Sequence, residues 1–269
     1  MKPARLRDAV TPLDSEQPRA LVVLPTYDEA ENILPLSEEV LGVAPQVEIL
    51  VVDDNSPDGT GDRVAERMQS EPRLHLLRRE AKLGLGTAYL AGFRYALDHD
   101  YHQIFTMDAD FSHPPRYIPE ILQAMKHFDV VIGSRYVLGG GIENWPLHRR
   151  ILSRFANLYA RSLLRLPVRD CTAGFRCYSR EVLESVEPFE IRASGYSFLE
   201  EMAFRVCHCG FQVGEIPIVF ENRRVGRSKI DSLEIYRAAW HVLVMALRPP
   251  EIPDRVRRRQ PPGPRASLL

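Results

Sequence analysis

The chain reads as an α/β protein built on a mostly parallel sheet with helices on both faces. Three observations predict this. Short, nearly unbroken apolar runs recur through the first half of the 269 residues, helical stretches separate several of them, and three of the runs end in carboxylates. Strands that are apolar on both sides belong to sheets covered on both faces, and an intervening helix makes their pairing parallel. In such sheets ligands sit beyond the carboxyl ends of the strands, so the residues after each run are where chemistry is expected.

The predicted strands are residues 20–24, 47–52, 73–77, 102–107 and 130–132. A helix is expected to start near Asp28, because Asp28 and Glu31 have capping-box spacing. Another is expected over residues 87–97, with Ala88, Ala91 and Tyr95 on one side. After Ser134 the character changes. Gly139-Gly140-Gly141 reads as a flexible joint, and an Arg-rich helical stretch follows it. A strand over 215–220 and a last helix over 233–247 complete the ordered part. Residues 1–19 are charged, contain proline and lack an apolar h-region, which does not fit a signal peptide. Residues 248–269 hold six prolines among repeated arginines and read as a disordered tail.

With 45% apolar and 26% charged residues, the composition is that of an ordinary globular protein. A net charge of -1 hides an uneven distribution. Residues 135–169 hold seven Arg and one acid, and residues 223–269 hold eleven Lys or Arg and four acids. Such clusters suit phosphate or an anionic membrane surface; nucleic acid is not expected as a partner. The four cysteines, Cys171, Cys177, Cys207 and Cys209, are too sparse for a disulfide framework and suit a reducing compartment. Cys207-His208-Cys209 does not have zinc-knuckle spacing, so idle or buried thiols are expected there. No apolar run approaches the ~18–20 residues that span a bilayer. A chain of this kind that acts on a lipid must come to the membrane peripherally or through a partner.

Three predicted strands end in carboxylates: Pro25-Thr26-Tyr27-Asp28-Glu29, Asp53-Asp54-Asn55-Ser56 and Asp108-Ala109-Asp110. Like charges gathered in one cleft repel unless a cation neutralises them. Mg²⁺ and Mn²⁺ prefer oxygen ligands and bridge carboxylates to substrate phosphates. Asp53-Asp54 alone reads equally well as turn or capping chemistry; Asp108-Ala109-Asp110 favours metal.

The order of these motifs resembles that of family 2 glycosyltransferases, and more narrowly the dolichol-phosphate (polyprenol-phosphate) mannosyltransferases. The resemblance rests on the three motifs above, the continuation Pro57-Asp58-Gly59-Thr60, Lys82-Leu83-Gly84-Leu85-Gly86, and Phe111-Ser112-His113-Pro114. Gly133-Ser134-Arg135-Tyr136, Asp170-Cys171-Thr172-Ala173-Gly174-Phe175-Arg176, and the run from Phe220 to Lys229 support it. It covers roughly residues 20–247. It implies a GT-A-type, Rossmann-like domain, with residues 20–134 as the nucleotide-sugar half and 135–247 as the acceptor and membrane-facing half. Pro25, Tyr27, Glu29, Asp53, Asp54, Lys82, Asp108 and Ala109 would surround the nucleotide of GDP-mannose. Asp108 and Asp110 would lie at the diphosphate, with Asp110 binding Mg or Mn. Ser112 stands where some relatives carry a Gln ligand, and a hydroxyl is the weaker donor.

The implied reaction is an inverting transfer of mannose to a polyprenyl or dolichyl phosphate at the cytoplasmic face of the membrane. Such an acceptor carries about −1.5 to −2 charge at neutral pH, so it needs positioning more than deprotonation. Arginine is the side chain best shaped to hold it. Arg135, Arg149 and Arg223 are the candidates, with Ser228 and Lys229 beside them, and Arg135 and Arg223 join Asp108 and Asp110 as expected catalytic residues. For any single one, a solvated surface arginine is the commoner outcome. Competing readings are a glucosyl- or other hexosyltransferase using another nucleotide sugar, a polysaccharide synthase, a nucleotidyltransferase, and a scaffold without activity.

Arg150, Arg154, Arg161 and Arg165 fall within about a 60° arc of one helix, beside Ile151, Phe155, Leu158, Tyr159 and Ser162. That pattern fits a helix lying in a membrane interface, and equally a surface helix packed on the sheet. With the glycine joint it would form a mobile wall of the lipid-phosphate site. Leu233, Tyr236, Trp240, Leu243 and Leu247 form a stripe on the last helix. Such stripes are usually core; this one could instead dock on an integral-membrane partner.

Overall fold

The computed structural model describes residues 18–222, apart from 192 and 194, and residues 232–251. The expectations for residues 1–17 and 252–269, and for Arg223, Ser228 and Lys229, lie outside the described residues. The elements run β1 (Ala20–Thr26), α1 (Ile33–Val43), β2 (Val47–Asp53), α2 (Thr60–Arg67), β3 (Leu74–Arg78), α3 (Leu85–Asp98) and β4 (Gln103–Thr106). Then come α4 (Ile118–Ala124), β5 (Val130–Ser134), β6 (Gly141–Ile142), α5 (Leu147–Leu163), β7 (Arg176–Ser179) and α6 (Arg180–Ser185). α7 (Tyr196–His208), β8 (Val213–Pro217), β9 (Val219–Phe220) and α8 (Ser232–Leu247) complete the order.

A seven-stranded sheet in the order β3-β2-β1-β4-β7-β5-β8 forms the centre, and only β7 runs against the rest. The apolar runs are buried from both sides. Leu21, Val23, Leu50 and Val52 face one core, with α3, α7 and α8; Val22, Leu24, Ile49 and Val51 face the other, with α1 and α4. Successive side chains of a strand point to opposite faces, which is why these strands need apolar residues at every position. All five strands predicted in the first half are present. The prediction missed β7. It is four residues long, begins with the charged Arg176 and has no apolar run to announce it.

Three local expectations change. α1 begins at Ile33 after Asn32, without a side-chain cap, while Asp28 takes a left-handed backbone (φ 56°) and gives its N–H to Ser56 Oγ. The capping-box spacing of Asp28 and Glu31 therefore marks a turn. The glycine triplet is a packed turn rather than a loose joint. Gly140 donates to Val137 O, Gly141 donates to Ile218 O in the β6–β9 pair, and a Cβ on Gly140 would sit 2.6 Å from Ser134 O. Arg165, at φ 52°, lies beyond the end of α5, so three of the four aligned arginines share that helix.

The side of α5 that meets the protein sets polar contacts beside the buried Ala160. Asn157 Nδ2 donates to Thr172 Oγ1, and Ser153 Oγ accepts from Tyr136 OH. Ile151, Phe155 and Leu158 face out, whereas Tyr159 turns inward and donates to Ala239 O of α8. Of the stripe expected on α8, Tyr236, Trp240 and Leu247 are exposed and Leu243 is half-buried, while Val242 and Met245 make the contact with the core.

The Arg176 guanidinium is fully buried and donates to the carbonyls of Ala173, Cys171 and Leu199 and to Tyr178 OH. Glu200, next in the chain to Leu199, is also buried. Burial raises its carboxyl to about 8 against the opposing pull of Arg176, so it is protonated at neutral pH. In the unfolded chain it ionises near the ordinary glutamate value. The folded state therefore binds the extra proton, and its stability falls as pH rises from about 4.5 to about 8. Glu200→Gln removes that slope. Its melting temperature relative to the parent should rise between pH 5.5 and pH 8.5, measured by calorimetry. A second site tests the sheet-to-helix packing: a Cβ at Gly92 of α3 would overlap the Val23 methyls of β1. Gly92→Ala should cost about 1–3 kcal/mol in urea unfolding.

Candidate active site

β1, β2, β4 and β5 all point their carboxyl ends to the same edge, and the predicted motifs gather there. On the β1–β2 side, Asp53 is buried. It accepts Thr26 Oγ1 at 2.9 Å and the Ser56 N–H at 3.1 Å, and the Ser56 hydroxyl closes on it as well. Asp54 accepts Arg79 Nε and the N–H groups of Leu83 and Gly84, at 3.1 and 3.3 Å. These two aspartates thus brace the turns around them, and Asp54 fixes the loop that carries Lys82. The Lys82 ammonium lies 4.1 Å from the centre of the Tyr27 ring, within cation–π range. Glu29 is oriented by its N–H to Thr60 Oγ1 and by Asn32 Nδ2, and Pro25 stands half-buried at the end of β1. Tyr27 and Lys82 thus meet, with Pro25 at the end of β1 and Glu29 just beyond it.

After β4 the chain makes a tight acidic turn. Phe111 is left-handed (φ 66°), which folds Ser112 back so that its N–H and hydroxyl both donate to Asp110 Oδ1, at 3.0 and 2.5 Å. Asp108 receives the Tyr89 hydroxyl at 3.3 Å, and Ala109 is buried between the two acids. The Asp108 N–H points at His113 Nδ1, 3.0 Å away. A donor facing Nδ1 makes that nitrogen the acceptor and leaves the ring proton on Nε2. His113 is completely buried, stacked on Phe175 and edge-on to Phe220 at 5.3 Å each. Burial lowers its pKa, against the pull of Asp108 and Asp110, which keeps the ring neutral. The turn offers only oxygen donors, two carboxylates two residues apart and one hydroxyl, and this set fits Mg²⁺ or Mn²⁺. Among the described residues no three His, Cys, Asp or Glu side chains are grouped to hold a metal, so such an ion would complete its shell from substrate and water.

Opposite this turn, Arg135 follows β5. Its Nε and Nη2 donate to the two oxygens of Asp170 at 2.8 and 2.7 Å, its N–H donates to the same carboxylate, and Nη2 also reaches Thr172 Oγ1. Asp170 is fully buried. Burial works to raise its pKa, but the charge and hydrogen bonds of Arg135 prevail and lower it. The Arg135 guanidinium is 5.5 Å from the Phe220 ring; Phe220 meets Trp145 at 5.2 Å, and Arg149 lies 3.8 Å over Trp145. One aromatic chain, His113–Phe220–Trp145, therefore links the acidic turn to Arg135 and Arg149. The strand expected over 215–220 is split into β8 and β9, and the backbone beyond carries Phe220 to the turn, where Glu221 N–H donates to Ser112 O.

The sequence reading gave no role to Tyr89, His113, Trp145, Asp170 or Phe220. Tyr89 reads as an ordinary core position of a helix. His113, Asp170 and Phe220 lie inside the quoted motifs, yet only their contacts reveal what they do.

The glycosyl transferase family 2 model matches residues 21–187. The chain belongs to that family. The transferase is 44% identical to a polyprenol monophosphomannose synthase of Mycolicibacterium smegmatis, over 86% of this chain and 88% of that protein. It is 42% identical to an undecaprenyl-phosphate mannosyltransferase of Micrococcus luteus, over 79% and 87%. Among solved structures it resembles glucosyl-3-phosphoglycerate synthase from Mycobacterium tuberculosis in complex with Mn²⁺, uridine diphosphate and phosphoglyceric acid. That likeness has a TM-score of 0.64 at 18% identity, over 87% of this chain and 80% of that one. A mannosyltransferase from Pyrobaculum calidifontis in complex with GDP-Man and Mn²⁺ gives 0.59 at 18% identity, over 89% and 67%. At these identities the structures establish the shared GT-A-like fold.

The contact between His113 and Asp108 generates a test. Asn offers an amide oxygen near the place of Nδ1. His113→Asn should keep most turnover, whereas His113→Leu should lose about 10–100-fold with the fold intact by circular dichroism. Equal losses in both variants would show that His113 only fills space.

Proposed function

We propose that this transferase moves mannose from GDP-mannose to a polyprenyl phosphate, with inversion at the anomeric carbon and with a divalent metal. The observation that carries the reading is the meeting of the acidic turn with Arg135 and Arg149 along Phe220 and Trp145. Two substrates of like charge must meet there, so carboxylates for a metal and arginines for a phosphate belong on facing walls. The two relatives above 40% identity, both named for mannose and a polyprenyl acceptor, support the choice of substrates.

Pro25, Tyr27, Glu29 and Lys82 would hold the nucleotide, in a pocket shaped by Asp53 and Asp54. Asp110, with Asp108 beside it, would hold a Mg²⁺ or Mn²⁺ ion, whose positive charge would make the diphosphate a better leaving group. An oxygen of the acceptor phosphate forms the new bond to sugar C1. The C1–oxygen bond to the nucleoside diphosphate breaks, and the diphosphate departs with the electron pair. Single displacement inverts the centre. The acceptor is already anionic, so the chain needs no strong general base, only cations that hold it in line. Arg149 on its Trp145 platform, with Arg223, Ser228 and Lys229, would bind the phosphate. Arg135, aimed by Asp170, would set the wall against which it rests.

The test is transfer of labelled mannose from GDP-mannose to a polyprenyl phosphate, read in the organic-soluble product. Transfer is expected with Mg²⁺ or Mn²⁺. It should vanish with EDTA and fall by at least about 100-fold in Asp110→Ala, since the charge-stabilising group is lost. Binding of GDP-mannose without transfer would move the acceptor elsewhere. Failure to bind it would favour another nucleotide sugar.

A further inference from the structure

The loop of residues 170–175 touches both walls of the site. Its first residue, Asp170, aims Arg135, and Thr172 reaches the same guanidinium. At its far end Phe175 stacks on His113, and a Cβ on Gly174 would lie 3.6 Å from Asp108 Oδ1 and 3.8 Å from Tyr89 OH. The middle of the loop is held from inside by the fully buried Arg176. Its Nη2 donates to Cys171 O and its Nε to Ala173 O, both at 2.7 Å, while Nη1 donates to Leu199 O of α7 at 2.9 Å. Glu200 follows Leu199 and is 4% exposed, and its Oε2 has no hydrogen-bond partner among the described residues. Arg176 is the charge that acts on this carboxyl, yet its hydrogen bonds go to three carbonyls and Tyr178 OH.

A buried carboxylate beside a guanidinium ordinarily captures it through short, charge-assisted hydrogen bonds. A bare Oε2 next to an arginine committed to carbonyls is instead the arrangement of a neutral acid. We propose that Arg176 is a positioning residue for the transfer reaction, and that an uncharged Glu200 leaves its hydrogens free to hold the loop. Once Glu200 gives up its proton to water, the carboxylate draws those hydrogens from Cys171 O and Ala173 O, because the charged acceptor is the stronger one. The loop then loses its inner tie, and with it the setting of Asp170 against Arg135 and of Gly174 against Asp108. Burial works in the same direction and raises Glu200 to about 8. The groups around the pair keep their charge in that range. Burial raises Cys171 and Cys207 to about 12 and lifts Tyr178 and Tyr89 as well, while Arg135 holds Asp170 low. On α8, His241 is taken by Glu201 at 3.1 Å, and Arg205 of α7 is held by the same carboxylate. For its bearing on turnover the inference rests on the proposed mannose transfer.

Two readouts on the full chain test this, one of them without substrate. In protein labelled with ¹³C at the methyl groups of Thr and Ala, the Thr172 and Ala173 resonances should move between pH 7 and pH 9, with a midpoint near 8. Glu200→Gln, nearly isosteric and unable to ionise, should hold them still, and Glu200→Leu should do the same. In the transfer assay with Mg²⁺, the parent should lose about tenfold in kcat over that interval, as one required proton leaves. Both variants should lose less than about twofold there. Far-ultraviolet circular dichroism should stay constant across the interval, which separates a loosened loop from unfolding. Methyl resonances that ignore the titration in the parent, parent turnover that is flat to pH 9, or an equal alkaline loss in both variants would overturn the proposal. Resonances that titrate as expected in a parent that transfers no mannose would sink the reaction and leave the proton-dependent tie standing.

Discussion

The buried ion pair between Arg135 and Asp170 is the contact on which the side of the candidate site beyond β5 depends. It fastens the end of β5 to the loop before β7, and that loop is itself held from β8, where Glu215 accepts the N–H groups of Arg169 and Asp170. Thr172 passes the connection to Asn157, and so to α5. Two charges removed from water cost several kcal/mol each, and only close, bidentate geometry with further hydrogen bonds offsets this. Here every one of those conditions is met. Losing either partner would strand the other, at a cost of about 3–5 kcal/mol, and would release three elements at once.

The acidic turn solves a related problem by different means. Asp108 and Asp110 sit two residues apart in a partly buried place. Hydroxyls from Ser112 and Tyr89 and the neutral ring of His113 shape the turn. Dipoles of this kind fix where the carboxylate oxygens point.

How far the sequence could be read follows from which signals are local. β1, β2, β3, β4 and β5 were legible because a strand buried on both faces must be apolar throughout. The acidic motifs were legible because their residues are adjacent in the chain. Asp170, Phe220 and Trp145 were not, since their meaning comes from partners 35 to 107 positions away, such as Arg135 and His113. The capping-box spacing at Asp28 and the glycine triplet misled for a physical reason. Both patterns are shared by turns, and backbone hydrogen bonding decides between the outcomes. The amphipathic pattern of α5 was visible, but periodicity cannot say whether an apolar stripe faces inward. The polar contacts of Ser153 and Asn157 settle that.

The antiparallel β7 has a consequence for how the chain comes together. β4 and β5 run the same way but never touch; β7, which follows them by more than forty residues, fills the gap between them. A growing chain that has emerged only through β5 holds β4, at residues 103–106, with one edge open, and β5, at residues 130–134, with no partner on either side. Such edges are templates for wrong pairing, and closing them late makes folding slow. The segment that shuts the sheet is also the one that delivers Asp170 to Arg135. β7 therefore joins β4 to β5 as Asp170 reaches Arg135, and β8, later still in the chain, pairs with β5 and brings the Glu215 that holds the Asp170 loop.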